Sequence, residues 1–231
     1  MRKYLIVIFC AVQLLSCQEE GALPDTVAVG YNFFPLQLGD FRVYEVEEIT
    51  HSSQGATVDS FQIRVDVVDS FRNQAGGITY VLSQFTRVSS LEEWKFEKTN
   101  SARLTGVQGI FIEGNVPFLK LSFPISAGKT WDSNALNALD EDLFEMDSLF
   151  SPYTTTRDIQ MPQTLTVIQE DNQDFTVNFI KRHEIYGLDI GLVYSEDINL
   201  AFCIEESCLG QQIVENGKEI RRSLIDYGTE L

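Results

Sequence analysis

Hydrophobic and polar residues alternate with a period of two along most of the chain beyond residue 31. Between Phe61 and Val67, apolar side chains alternate with Gln62, Arg64 and Asp66. Such alternation is typical of a β-strand that buries one face and exposes the other. The pattern predicts about ten strands, at 41–50, 61–67, 79–88, 94–96, 108–113, 119–123, 164–169, 175–179, 190–195 and 220–227.

Short polar segments with the composition of tight turns separate these strands. The clearest are 73–77, 113–115, 171–174 and 215–218, which contain the Asn, Asp and Gly that turns favour. Connections this short join antiparallel neighbours, because a parallel crossover needs a dozen or more residues. A meander of about ten strands is too long for a flat sheet. We therefore expect a mainly β fold, an antiparallel meander curled into a barrel, half-barrel or sandwich, with at most one or two short helices.

The segment 134–149 fits either a helix or a strand. Its apolar residues form a helical stripe that Ser133 would cap, made of Leu136, Leu139, Leu143, Met146 and Phe150. Residues 144–148, however, also alternate as a strand would. We predict a short helical turn near 134–139, followed by a strand at 142–149.

One short pattern occurs twice, 89 residues apart. Phe34-Pro35 and Phe123-Pro124 each begin the pattern F-P-(L/I)-x-x-G, which an aromatic residue follows. Proline ends a strand or begins a turn, and glycine permits the positive φ of a tight turn. The repeat predicts two similar corners, each leading into a strand.

The N-terminus is organised like a bacterial export signal. Residues 1–3 are basic in part, and residues 4–15 are largely apolar, a run shorter than the roughly 20 residues of a membrane-spanning helix. Residues 14–17, Leu-Leu-Ser-Cys, resemble the lipobox of lipoproteins, whose cysteine receives a diacylglyceryl group. Cys10 follows the bulky Phe9 and is a poorer candidate. We predict a signal peptide at 1–16, lipidation at Cys17, an acylated tether at 17–30 and a single antiparallel β domain at 31–231; an ordinary secretory signal is the alternative.

Acyl chains on Cys17 would anchor the protein stably, and we expect a lipid-anchored protein of the outer membrane. The next residues, Gln18-Glu19-Glu20, resemble the acidic surface-export signal of Bacteroidota lipoproteins. A plain solvated tether has the same composition. The sequence therefore leaves open whether the protein is exposed on the cell surface or faces the periplasm.

Net charge narrows the choice of partners. The 231 residues include 34 Asp+Glu and 17 Lys+Arg, which gives a formal charge of −17. Such a chain is a poor nucleic-acid binder, because it has few bases to replace the counterions along the phosphates. We expect no nucleic-acid partner, and a monomer that contacts the membrane and an unknown protein or apolar ligand.

The chain resembles a broad group of Bacteroidota lipoproteins whose domain starts with the pattern "YFPL..G..W.Y". The match begins at 31–44, where Phe41 stands in place of the usual Trp. It continues at 123–137, at 185–194, at the C-x4-C segment 203–211 and at 224–228. The group has no known activity to carry over, so the resemblance implies only class and location.

Two motif-like segments lack the residues that their chemistry requires. Gly128-Lys129-Thr130 matches the end of a phosphate-binding loop, but Phe123 occupies the position of its first glycine. His183-Glu184 begins like a zinc-protease helix, but Gly187 replaces the second histidine. His51 lies far away in the sequence. We expect no cofactor and no metal site.

Paired acids are the remaining candidates for catalysis, because glycosidases use two carboxylates. Such pairs occur at Glu47-Glu48, Asp140-Glu141-Asp142 and Glu205-Glu206. In a chain with 34 acids, a solvated acidic face explains them as well. We therefore expect that the protein is not an enzyme. A carboxylate-based hydrolase is the remote alternative.

Cys203 and Cys208 are the only cysteines left once Cys17 is acylated and Cys10 is removed. An even pair in an exported protein predicts a disulfide. Because a disulfide needs Cα atoms roughly 4.4–6.8 Å apart, the chain between them must fold back. We predict that residues 205–207 form an exposed turn.

The primary functional hypothesis is a non-catalytic binding or structural module anchored in the envelope. The alternative is a carrier that holds a lipid or other apolar ligand in a lipocalin-like or lipoprotein-carrier-like cavity. The 16 Phe, 8 Tyr and 2 Trp would suit either a lined cavity or a packed core, and a packed core is the commoner use.

Overall fold

The computed structural model describes residues 29–172 and 174–230. They form a 3-10 turn at Tyr31–Phe33 and one sheet of twelve strands. The strands are β1 (Asp40–Ser52), β2 (Gly55–Arg72), β3 (Ile78–Arg87), β4 (Lys95–Leu104), β5 (Gln108–Glu113), β6 (Val116–Ser122), β7 (Lys129–Asp132), β8 (Leu143–Thr154), β9 (Gln160–Asn172), β10 (Asn178–Gly187), β11 (Gly191–Phe202) and β12 (Val214–Thr229). The predicted signal peptide, Cys17 and tether residues 17–28 lie outside the described residues. Within these two ranges, no helix is long and apolar enough to cross a membrane.

The twelve antiparallel strands curl into a nearly closed barrel. β1 to β6 run outward from the middle of the sheet, and β7 to β12 return from the opposite edge until β12 pairs with β1. The two edges meet where the Leu119 amide donates to the Ser133 carbonyl (2.9 Å). There the Trp131 indole also donates to the Leu119 carbonyl (2.9 Å). The mainly β prediction is confirmed, and the barrel is the form that the sheet takes.

The repeated F-P-(L/I)-x-x-G pattern marks the start of each six-stranded half. One copy leads into β1 and the other into β7. The Asp40 amide donates to the Gln37 carbonyl (3.2 Å), and the Lys129 amide donates to the Ser126 carbonyl (3.1 Å). Gly39 and Gly128, at equivalent positions, have φ of 85° and 74°, which glycine adopts without steric cost. The prediction of two similar corners is confirmed.

The predicted helical turn at 134–139 is wrong, because polar side chains there bind the backbone locally and across the seam. The Asn134 amide group donates to the Asp140 carbonyl (2.6 Å), and that of Asn137 donates to the Pro117 carbonyl (2.9 Å). Such bonds compete with helix formation, and residues 133–139 form turns and bends. The strand predicted at 142–149 is confirmed by β8.

The strand predicted at 175–179 begins three residues later than expected. Asp174 accepts hydrogen bonds from the backbone amides of Thr176, through its side chain (3.0 Å), and of Val177 and Asn178, through its carbonyl (3.2 and 2.9 Å). These bonds hold 175–177 in a turn, so β10 starts at Asn178.

The segment before β1 closes one end of the barrel. Phe33 is fully buried (0% exposed) and joins the main apolar cluster together with Phe34. The Tyr31 ring packs edge-on against Phe123 at 5.1 Å between centroids, and its hydroxyl donates to the Gly106 carbonyl (2.8 Å). In the sequence, this plug follows the predicted tether, residues 17–30, directly.

Candidate ligand cavity

The barrel encloses a cavity of about 600 Å³, which is within the usual size range of small-molecule sites. Its lining includes the apolar side chains of Phe34, Leu36, Val65, Leu82, Ala102, Phe111, Phe118, Phe144, Leu192 and Ile220. It also includes the polar or charged side chains of Arg42, Gln84, Glu113, Lys120, Asp142, Gln169, Arg182, His183, Glu184, Ser195, Glu196, Asp197 and Arg222.

Strand alternation places the charged side chains inside the barrel. On β10, Arg182, Glu184 and Tyr186 are two residues apart, so they share one face, and all three line the cavity. The sequence analysis considered Glu184 only as part of an incomplete zinc-protease motif and missed Arg182 and Tyr186, because β10 carries polar side chains on both faces. The loss of hydrophobic alternation between residues 181 and 184 was the sequence signal that could have indicated them.

Glu184 is the centre of a buried polar network. The residue is 8% exposed. Its carboxylate accepts one hydrogen bond from Lys120 Nζ (2.5 Å) and another from the Tyr186 hydroxyl (2.5 Å). Burial alone would raise the pKa of Glu184, but the Lys120 charge and these hydrogen bonds hold it below the ordinary value. Burial, together with the charge of Glu184, raises the pKa of Tyr186 well above its ordinary value. Glu184 is therefore ionised and Tyr186 protonated at neutral pH.

Arg182 is fixed by two carboxylates from neighbouring parts of the barrel. Its guanidinium makes a two-pronged contact with Asp142 (2.8 and 3.2 Å) and a single contact with Glu170 (3.2 Å). The hydrogen bonds and charge of Asp142 raise the pKa of Arg182 despite burial. Two-pronged pairs of this kind restrict the side chain to one geometry.

A second basic cluster surrounds Tyr44. Arg42 donates through Nε to the Ile190 carbonyl and through Nη2 to the Pro35 carbonyl (3.2 Å). The Tyr44 hydroxyl donates to the Leu192 carbonyl (2.9 Å). The guanidinium carbon of Arg222 lies 5.6 Å from the centre of the Tyr44 ring. Burial raises the pKa of Tyr44, while the charges of Arg42 and Arg222 act to lower it.

Gly191 makes room for this cluster. Its φ is +88°, and a Cβ at this position would lie 3.3 Å from Arg42 Nε. Glycine is therefore required here both by the backbone conformation and by the close approach of the arginine.

The cysteine pair lies away from the cavity. Cys203 and Cys208 are bonded as a disulfide with Cα atoms 5.8 Å apart, and neither lines the cavity. Residues 205–207 are exposed, and the Cys208 amide donates to the Glu205 carbonyl (3.0 Å). The predicted exposed turn is confirmed. The predicted lipidation site, Cys17, lies outside the described residues.

The other residues considered from the sequence have separate partners. His51 Nε2 lies 2.8 Å from Glu219 Oε1, and His183 Nδ1 lies 3.4 Å from Glu196 Oε2. Lys129 starts β7, and its Nζ donates to the Pro124 carbonyl (3.0 Å). Over 29–172 and 174–230, no group of three or more His, Cys, Asp or Glu residues could hold a metal ion.

The predicted acidic pairs are distributed among different basic partners. Glu47 Oε1 lies 3.6 Å from Arg221 Nη1, and Glu48 Oε1 lies 2.7 Å from Lys218 Nζ. Asp142 is the member of its group that reaches the cavity.

Comparison with known proteins yields only distant similarities of fold. No family model and no curated protein matches the sequence. A structure from Bacteroides fragilis NCTC 9343, described as an exported protein with a YmcC-like fold, shares 13% identity, with 85% of this chain and 99% of the other covered and a TM-score of 0.46. A structure from Parabacteroides distasonis ATCC 8503, described as a lipoprotein, shares 9% identity, with 85% and 98% covered and a TM-score of 0.42. The function of this chain is therefore inferred from its own cavity and sequence.

Proposed function

We propose that this protein is a lipid-anchored envelope protein whose barrel binds a small amphipathic ligand without changing it chemically. The observation that carries the proposal is the cavity of about 600 Å³, lined by aromatic and aliphatic side chains together with charged ones. A ligand with one apolar and one polar part has partners of both kinds in this lining. This proposal joins the binding-module and carrier hypotheses, with a more polar ligand than a purely apolar lipid.

The polar part of the lining supports specific binding because its side chains are already fixed. Lys120 and Tyr186 both bind Glu184, and Asp142 holds Arg182. A preorganised site loses little conformational entropy when a ligand binds. The ligand therefore meets donors and acceptors that need no rearrangement.

A binding role without chemistry is supported by the state of Glu184. A general acid or base works best with a pKa near the working pH. Lys120 and Tyr186 hold the pKa of Glu184 below its ordinary value, so this carboxylate is a poor proton donor and acceptor near neutrality. Its role in the proposal is to fix Lys120 and Tyr186.

The anchor in the proposal rests on the signal-like residues 1–16 and on Cys17. Residues 34–36 form part of the cavity lining and follow the predicted tether closely in sequence. In this proposal the tether enters the fold close in sequence to residues that line the cavity.

Ligand binding is tested by native mass spectrometry of the full-length protein purified from its own envelope. The wild-type protein should retain a small non-covalent ligand. Ala102→Leu should reduce its occupancy, because Ala102 lines the cavity and the larger side chain takes up cavity volume. Ala56→Leu is the matched control, since Ala56 is exposed on β2. No ligand in any sample, and no uptake from a panel of amphiphiles, would overturn the proposal.

The anchor is tested by metabolic labelling with palmitate. Cys17→Ser should abolish both the label and membrane retention, whereas Cys10→Ser should leave both intact. Labelled, membrane-bound Cys17→Ser protein would show that the anchor lies elsewhere.

A further inference from the structure

Four Lys or Arg side chains line the cavity, and two of them are neutralised by acids. Lys120 pairs with Glu184 at 2.5 Å, and Arg182 pairs with Asp142 at 2.8 Å. The charges of these two bases are therefore balanced by acids of the protein. The other two, Arg42 and Arg222, have different surroundings.

Arg222 has no acidic partner among the described residues. It forms none of the ion pairs or side-chain hydrogen bonds found in this part of the chain, and its buried Nε has no hydrogen-bond partner. Its contact is with the face of the Tyr44 ring, 5.6 Å from the guanidinium carbon. An arginine in this position is half-buried yet keeps most of its donors unused.

Arg42 lies close to the same tyrosine and is also not neutralised. Its hydrogen bonds go to the carbonyls of Ile190 and Pro35, which carry no net charge. Arg42 and Tyr44 are two residues apart on β1, so they share one face of the strand. The charges of Arg42 and Arg222 both act on the Tyr44 hydroxyl.

Two of the remaining acids of the lining pair with bases outside it. Glu113 pairs with Lys98, and Glu196 pairs with Lys181 and Arg221. Asp197 forms no ion pair among the described residues, and burial raises its pKa although the charges of Arg182 and Lys218 act to lower it. Arg42 and Arg222 are therefore the Lys or Arg side chains of the lining that pair with no carboxylate in the described part of the chain.

We infer that the cavity binds the anionic head group of an amphiphile at Arg222 and Arg42, beside Tyr44. This inference deepens the ligand-binding function proposed above and rests on it. A guanidinium matches a carboxylate or a phosphate with two parallel hydrogen bonds. Ile220 lies two residues from Arg222 and lines the cavity too, so apolar surface for the rest of the ligand begins next to the charge.

The test compares three ligands with the same chain and different head groups: octanoate, octyl phosphate and 1-octanol. Each is titrated by calorimetry into the full-length protein held in nanodiscs, with protein-free nanodiscs as the blank. We expect at least one anion to bind about tenfold or more tightly than the alcohol, since a hydrogen bond to a charged group strengthens binding by that order. The two anions separate a carboxylate ligand from a phosphate ligand.

The variant Arg222→Gln should remove the preference for the anion and keep the binding of 1-octanol. Arg222→Met, which keeps the length of the stem, replaces it if the first variant does not fold. Arg64→Gln is the matched control, because Arg64 does not line the cavity and pairs with Asp66 and Glu230, which do not line it either. It should keep the anion preference.

The outcomes separate this inference from the proposed function. If the wild-type protein binds all three ligands with equal affinity, the anion site is wrong and ligand binding stands. If Arg222→Gln keeps the anion preference, the head group binds elsewhere and this inference is wrong. If the wild-type protein binds none of the three, the proposed function fails and the anion site fails with it.

Discussion

Lys120 and Glu184 form an ion pair across the interior of the barrel, with Nζ and Oε1 2.5 Å apart. They lie 64 residues apart in the sequence, on β6 and β10, which are not neighbours in the sheet. The pair therefore links the two six-stranded halves near the seam where the edges meet. It also orders the polar part of the cavity.

Removing Lys120 should destabilise the fold strongly, because it leaves a buried carboxylate without its cation. We expect Lys120→Met to lower the free energy of unfolding by about 3 kcal/mol or more. Lys98→Met is the control, since it breaks the more exposed pair with Glu113 and should cost less than about 1 kcal/mol. Chemical denaturation at pH 7 measures both. Equal losses of free energy of unfolding in the two variants would mean that the pair inside the barrel stabilises the fold no more than the exposed pair does.

Stability should fall as the pH is lowered below about 6.5, in part because of His183. Burial and the charge of Lys181 lower the pKa of His183, and the charges of Glu196, Asp171 and Glu184 oppose this only partly. Between the folded and the unfolded pKa, the unfolded chain binds a proton at this residue and the folded chain does not. The contribution of His183 to the free energy of unfolding is therefore complete above the unfolded pKa of 6.5. This contribution is lost as the pH falls toward the folded pKa.

Denaturation curves between pH 7 and pH 5 measure this effect. His183→Gln should flatten the decrease in the free energy of unfolding across this window. The carboxylates with lowered pKa values, Glu184, Glu196 and Glu219, lose their contributions only below the unfolded value of 4.5. Parallel curves for the variant and the wild type would contradict the assignment to His183.

The disulfide should add a modest amount of stability without affecting the cavity. Closing the short loop between Cys203 and Cys208 restricts the unfolded chain, and the loop-entropy model gives about 2 kcal/mol. We expect the double variant Cys203→Ser, Cys208→Ser to lose roughly that amount and to keep ligand binding. A reductant should destabilise the wild type and leave the double variant unchanged, and a reductant effect on both would point to another cause.

The plug at the closed end should be essential for stability. Phe33 is fully buried, so Phe33→Ala should cost about 3–5 kcal/mol through lost burial and a residual cavity. Leu38→Ala lies on the same segment, is 46% exposed and should change the stability by about 1 kcal/mol or less. Thermal unfolding of both variants checks this. A small effect of Phe33→Ala would show that the plug is dispensable.

Local patterns in the sequence were enough to predict most of the strands, some of the turns and the two similar corners. They did not predict β7, and the turn predicted at 215–218 lies within β12. These features depend on residues close together in the chain. The alternation of Phe61 to Val67 requires one buried face wherever the strand is placed, and Gly39 and Gly128 mark turns through their own backbone freedom. The disulfide turn belongs to the same class, because five residues must fold back to join two cysteines.

Tertiary structure decided the details that depend on distant partners. The segment 134–139 has a helical stripe, yet Asn137 binds the Pro117 carbonyl on β6, a partner that no local pattern reveals. The same holds for the cavity, since Lys120 and Glu184 meet only after the barrel closes. A barrel with a polar interior places charged residues on both faces of β10, so alternation there does not identify the inner face. The cavity therefore followed from the pairing of strands far apart in the sequence, whereas most of the strands followed from the sequence alone.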